Sequence, residues 1–289
     1  MTRTKATLIG FVAVLLWALL ALFTAASGQV PPFQLAAMCF AIGGVVGATG
    51  WIARPSRIAN LKQPAPVWLV GVGGLFGYHF FYFTALRNAP AVEAGLIAYL
   101  WPLLIVLFSA ALPGERLRWH HIAGALIGFA GAAMIVTRGG GLSVNPDYAL
   151  GYLAALACAV IWSGYSVGSR AFAKVPTDVV AGFCLASAVL SAICHRIFEV
   201  TVWPQSTLEW LAVLGLGLGP LGVAFFTWDY GVKNGDIQVL GAASYAAPVL
   251  STLVLLATGF AEPSLTIVLA CLLVTGGAML AAKSMLFGR

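Results

Sequence analysis

The stretch RNAPAVEAGLIAYLWP at residues 87–102 returns as KNGDIQVLGAASYAAP at residues 233–248. Asn88, Gly95, Tyr99 and Pro102 meet Asn234, Gly241, Tyr245 and Pro248, each 146 residues further on, and Arg87 meets Lys233. The flanks keep the register: Gly71 and Gly73 match Gly217 and Gly219, Gly131-Ala132 matches Gly277-Ala278, and Trp17 matches Trp162 at an offset of 145. Apolar helices resemble one another through Leu, Ala and Gly alone. A cation, Asn, Gly, Tyr and Pro at fixed spacing is harder to reach by composition, so the chain reads as an internal duplication.

The duplicated unit is built for lipid. Of 289 residues 61% are hydrophobic and only 8% charged, with a mean hydropathy of +0.97. Soluble domains carry about 25% charged residues because their surfaces face water. A helix crossing a hydrocarbon core of roughly 30 Å needs about 20 mostly apolar residues. Ten windows meet that need, near 7–26, 32–51, 67–86, 91–111, 119–137, 149–168, 178–197, 207–232, 237–257 and 264–284. The first is longer than the 7–15 apolar residues of a usual signal peptide, so it reads as a span. The short connections hold most of the Pro, Gly and charge and leave no room for a soluble domain.

Charge sets the orientation, because Lys and Arg are retained on the cytoplasmic face. With the N-terminus inside, 12 of the 15 Lys and Arg fall on the cytoplasmic side, against Arg87, Arg138 and Arg196 outside. A helix missed or invented in mid-chain would reverse the later part of this count and largely cancel it. Both termini are therefore expected in the cytoplasm of a bacterial inner-membrane protein. Five windows fall in residues 1–144 and five in 145–289, and an odd number turns the second unit over. The expected fold is all-α, ten transmembrane helices as two inverted five-helix repeats around a central cavity. Secondary transporters recurrently use such repeats, with the solute near the midplane where the halves meet.

The connecting turns carry a family likeness. Leu86-Arg87-Asn88-Ala89-Pro90, Tyr99 through Pro102, Pro113-Gly114-Glu115-Arg116 with Glu262 as the counterpart of Glu115, and the glycines of the fifth and tenth windows resemble the drug/metabolite transporter superfamily. Within it the chain is most similar to EamA-type exporters, above all those of aromatic amino acids. The resemblance covers essentially the whole chain. It implies a basket of ten helices around a central cavity, exporting aromatic or other amino acids or metabolites. Relatives carry different solutes, so another small metabolite or drug stays open as the substrate.

Independently of family, polar and aromatic residues at membrane depth mark candidate sites. Tyr78 and Tyr82 share one face of the third helix, with His79 about 100° round from Tyr78. Tyr99 and Trp101 precede Pro102, which kinks the fourth helix; Ser244 and Tyr245 stand beside Pro248 at the equivalent kink. Trp17, Trp162 and Tyr165 also lie deep. Their rings can stack on an aromatic solute or hold its ammonium group. These ten residues form the expected binding set, with Pro102 and Pro248 as gate kinks; plain helix packing is the competing account of each ring. His79 and Asp229 are the candidate proton sites, although Lys233 at i+4 also favours a structural ion pair for Asp229. Glu93 fits a helix N-terminus.

Several classes are disfavoured. Cys39, Cys158, Cys184, Cys194 and Cys271 lack metal-ligand spacing, and no glycine-rich phosphate loop occurs, so neither metal nor cofactor is expected. The cations sit singly, without the basic stripe of a nucleic-acid partner. The first window lacks the acidic residue that small multidrug exporters use, which argues against a lipophilic-cation antiporter. A membrane enzyme would need a catalytic cluster, and a channel a continuous polar pore. The expected partners are an amino acid and the bilayer. A monomer is expected, an oligomer stays open, and so does the choice between facilitated and proton-coupled transport.

Overall fold

The computed structural model describes residues 2–137, 145–257 and 264–283. Arg138 and Arg289 of the charge count and Glu262 of the family motif lie outside them. All regular structure among the described residues is helical. We label the runs α1 (Arg3–Ala26), α2 (Pro32–Ala53), α3 (Ala65–Asn88), α4 (Ala91–Ala111), α5 (Trp119–Val136), α6 (Pro146–Ala171), α7 (Thr177–Phe198) and α8 (Thr207–Asn234). These eight are long and apolar enough to cross a membrane. The run α9 has two arms, Ile237–Ala243 and Ala246–Ala257, bent by 40° and long enough if taken as one span. The last, α10 (Leu265–Ala281), is apolar but 17 residues long, shorter than the window at 264–284.

Local chemistry sets the ends. Pro31, Pro64 and Pro90 precede the first turns of α2, α3 and α4, where a missing N–H costs nothing. Side chains of Ser206, Asp236 and Ser264 accept backbone N–H groups at the starts of α8, α9 and α10.

Contacts between the ends give the helix directions. Arg3 at the start of α1 meets Glu115 after α4, and Arg170 at the end of α6 meets the same carboxylate. These mark one face, the N-terminal face. Glu199 after α7 meets Arg87 near the end of α3 and the backbone N–H groups of Phe33 and Gln34 opening α2. These mark the opposite face. So α1 and α6 run antiparallel, as do α2 and α7.

The most extensive packing joins α5 to α10, α3 to α6, α2 to α7 and α1 to α8. Each pair unites a helix from before residue 138 with one from after residue 144, so the two stretches interlock rather than fold apart. Between α5 and α10 the approach depends on glycine. A Cβ on Gly124 would lie 2.5 Å from the Gly277 carbonyl oxygen, and one on Gly277 would lie 2.6 Å from that of Gly124. Small residues let helices in lipid meet this closely. The outward faces display apolar side chains such as Leu8, Val45, Leu69, Leu153, Val189 and Leu272. A surface of this kind belongs in hydrocarbon.

Candidate substrate site

Four helices lose their regularity near mid-bundle. α1 breaks after Trp17 and resumes at Leu20. α4 breaks at Tyr99-Leu100 and resumes at Trp101. α8 contains a π-helical turn over Gly219–Val223, and α9 breaks at Ser244-Tyr245. A break frees backbone groups that lipid cannot satisfy, so neighbouring side chains must. The Trp17 indole N–H donates to the Pro220 carbonyl of the π turn at 3.1 Å. The Ser163 hydroxyl lies 2.9 Å from the Trp101 carbonyl and 2.7 Å from that of Ala159. The Tyr245 hydroxyl accepts the Leu103 N–H at 3.1 Å, just past the α4 break.

These anchors draw four indoles together. Trp17 of α1, Trp101 of α4, Trp162 of α6 and Trp228 of α8 have all six ring separations between 5.1 and 6.3 Å. Most pairs are edge-on or tilted, the arrangement that ring quadrupoles favour. Trp228 is fully buried and its N–H donates to Ser166 Oγ at 3.0 Å. Tyr78 packs on Trp162 and stacks on Tyr82, with centroids 5.8 Å apart and planes within 7°. Tyr82 and Tyr99 retain accessible surface beside this cluster.

The expected residues thus divide. Trp17, Tyr78, Tyr82, Trp101 and Trp162 form one continuous aromatic wall, with Tyr165 behind Trp162 at 5.2 Å. Ser244 and Tyr245 stand apart from it. Both are fully buried and their hydroxyls are spent on backbone, Ser244 on the Leu240 carbonyl at 2.7 Å. Pro102 is the second residue of the second arm of α4, and Pro248 the third residue of the second arm of α9. His79 Nδ1 lies 2.8 Å from the Leu75 carbonyl of its own helix, and its ring packs among Phe40, Phe83 and Phe225. Among the described residues no carboxylate reaches it. Asp229 is buried, paired with Lys233 at 2.8 Å and accepting from Thr177 at 2.7 Å, while Lys233 also donates to the Val175 carbonyl. Glu93, at the start of α4, bonds the Tyr152 hydroxyl.

Sequence reading misses Trp228 and Phe225. A signal was present: at the repeat offset of 146, Trp228 is the counterpart of Tyr82 and Phe225 that of His79.

An ionic network ties the helix ends at the N-terminal face. Glu115 bridges Arg3 at 2.8 Å and Arg170, and Arg3 also reaches Asp236 at 3.3 Å. The Arg170 guanidinium donates to the carbonyls of Val232, Lys233 and Gly235 at 3.1, 2.8 and 2.8 Å. One side chain thereby ties α6 to the α8–α9 junction.

A multi-pass helical bundle with broken helices meeting around a buried aromatic cluster is an architecture that membrane transporters use. The chain belongs to the EamA-like transporter family, whose model matches residues 4–137 and again residues 149–283. It is 62% identical over 282 residues to the aromatic amino acid exporter YddG of Ancylobacter novellus, covering 97% of this chain and 98% of that one. It is 28% identical to the aromatic amino acid exporter YddG of Salmonella typhimurium over 87% of this chain and 88% of that one. A crystal structure of a protein 61% identical superposes with a TM-score of 0.93, covering 98% of this chain and 99% of that one.

Proposed function

We propose that this protein exports aromatic amino acids, and other neutral amino acids less well, across the bacterial inner membrane by alternating access. The observation that carries the reading is the aromatic wall. Its rings come from α1, α3 and α4 on one side and α6 and α8 on the other, so movement between the halves must remodel it. Ring faces suit both an aromatic side chain and its ammonium group.

In this reading residues 1–144 and 145–289 are two five-helix repeats of opposite orientation around a central cavity, with both termini cytoplasmic. The antiparallel course of α1 and α6, the double family match and the pairing of α2 with α7 and α5 with α10 support it. The solute contacts are Trp17, Tyr78, Tyr82, Tyr99, Trp101 and Trp162. Flow runs down the amino acid gradient in this reading, with His79 Nδ1 against the Leu75 carbonyl and Asp229 paired with Lys233 and Thr177 as structural contacts. The working unit is a monomer and needs no cofactor.

The test is flux in liposomes containing only this protein, offered phenylalanine, tryptophan, threonine, methionine and a lipophilic cation. Saturable aromatic flux is expected, with KM raised about 2- to 12-fold in Trp101→Ala as one ring contact is lost. Flux of the cation alone overturns the substrate assignment.

A further inference from the structure

The two tyrosines that precede the helix kinks are equivalent by sequence and unequal in the structure. Tyr99 and Tyr245 are 146 residues apart, and so are the residues four beyond them, Leu103 and Val249. Tyr245 is fully buried, and its hydroxyl accepts the Leu103 N–H, replacing the helical partner that the Tyr99-Leu100 break removes. The two arms of α4 consequently run on as one span. Tyr99 is half-buried, and among the described residues its hydroxyl makes no hydrogen bond. The helix it would serve by symmetry, α9, is the one bent by 40°.

We infer that these tyrosines are exchangeable braces. In the state described here, with Glu115 and Arg170 tying the N-terminal face, Tyr245 straightens α4 and α9 is bent. In the opposite-facing state Tyr99 takes the Val249 N–H and straightens α9, while Tyr245 leaves Leu103 and α4 bends. A buried backbone N–H without a partner costs free energy in lipid, so each brace favours one state. Tyr245 is then a positioning residue: it fixes the turn that carries Tyr99 and Trp101 and need not touch solute. The inference rests on the inverted-repeat, alternating-access reading proposed above.

The experiment uses the full-length protein in lipid nanodiscs without solute. Tyr245→Phe and Tyr99→Phe keep the ring and remove only the hydroxyl. Hydrogen exchange is followed by mass spectrometry in peptides spanning residues 109–118 and 229–240 at the N-terminal face, and 28–34 and 195–203 at the other. Loss of one net hydrogen bond shifts a two-state ratio about 2- to 12-fold. Tyr245→Phe should speed exchange at the N-terminal face by that factor and slow it at the other face. Tyr99→Phe should do the reverse, and the double variant should return near wild type. Shifts of the same sign in both single variants, or shifts in neither, overturn the exchange. Phenylalanine flux, measured in parallel on the wild type, separates the two readings. Opposite shifts without flux would keep the braces and sink the substrate assignment, whereas flux with same-sign shifts would do the converse.

Discussion

Replacing Arg170 should be among the most damaging single changes at the N-terminal face. Its side chain is 18% exposed and the Glu115 carboxylate 6%, so neither charge is well screened by water. Arg170→Ala removes the link to Glu115 and leaves the carbonyls of Val232, Lys233 and Gly235 without this donor. Charge-assisted hydrogen bonds contribute about 1.5–3 kcal/mol each, but four bonds from one guanidinium are not additive. Breaking a buried pair by removing one partner costs about 3–5 kcal/mol. Glu115 keeps Arg3 as a half-exposed partner, which places the expected loss near the lower figure, about 3 kcal/mol. Arg170→Lys should recover less than half of it, because an ammonium is a point charge and cannot bridge a carboxylate and three carbonyls as a planar fork does. The assay is reversible unfolding in mixed detergent micelles, with Glu115→Gln completing a double-mutant cycle. A loss below about 1 kcal/mol, or a cycle additive within about 0.5 kcal/mol, would show that the network is only a surface arrangement.

Two further changes test the frame. Gly124→Ala should destabilise the protein by about 1–3 kcal/mol, since its methyl would meet the Gly277 carbonyl and α10 would have to back away; thermal unfolding in detergent reads it, and an unchanged midpoint would mean that the α5–α10 contact is looser than described. Glu199 caps the N–H groups of Phe33 and Gln34 and pairs with Arg87 and His195. Glu199→Gln should cost about 1–3 kcal/mol and speed amide exchange at Phe33 and Gln34. Equal exchange in variant and wild type would remove Glu199 from the role of helix cap.

Legibility in the sequence follows the length scale of the signal. A span is a twenty-residue average, so eight of the windows meet helices long and apolar enough to cross a membrane and a ninth meets the bent α9, whereas the last meets a helix of only 17 residues. The breaks at Tyr99-Leu100 and Ser244-Tyr245 fall a few residues before Pro102 and Pro248, so proline, which removes a donor, marks their neighbourhood in the sequence, but not that α9 is sharply bent while α4 runs on as one span. The break after Trp17 has no such mark: Ala18, Leu19 and Leu20 form good helix, and only the partner that Trp17 finds at Pro220 in the π turn of α8 explains it. Asp229 and Lys233 are readable as an i,i+4 pair, but their depth is not, because it depends on Val175 of the α6–α7 connection and Thr177 at the start of α7. Tyr245 and its counterpart Tyr99 share the glycine four residues before and the proline three residues after, although their immediate neighbours differ. Which hydroxyl is spent on backbone is decided by tertiary packing, here by Leu103 of α4 meeting Tyr245 of α9, and the sequence pattern does not carry that.

The tryptophan quartet also makes the protein report on itself. Four indole chromophores at centroid separations of 5.1–6.3 Å are close enough for their electronic transitions to couple, giving a near-ultraviolet circular dichroism pattern that isolated indoles lack. Because the rings hang from α1, α4, α6 and α8, relative motion of the two halves would pull the couplings apart. The working cycle should therefore be visible by optical spectroscopy of the unlabelled polypeptide, without dyes or engineered probes.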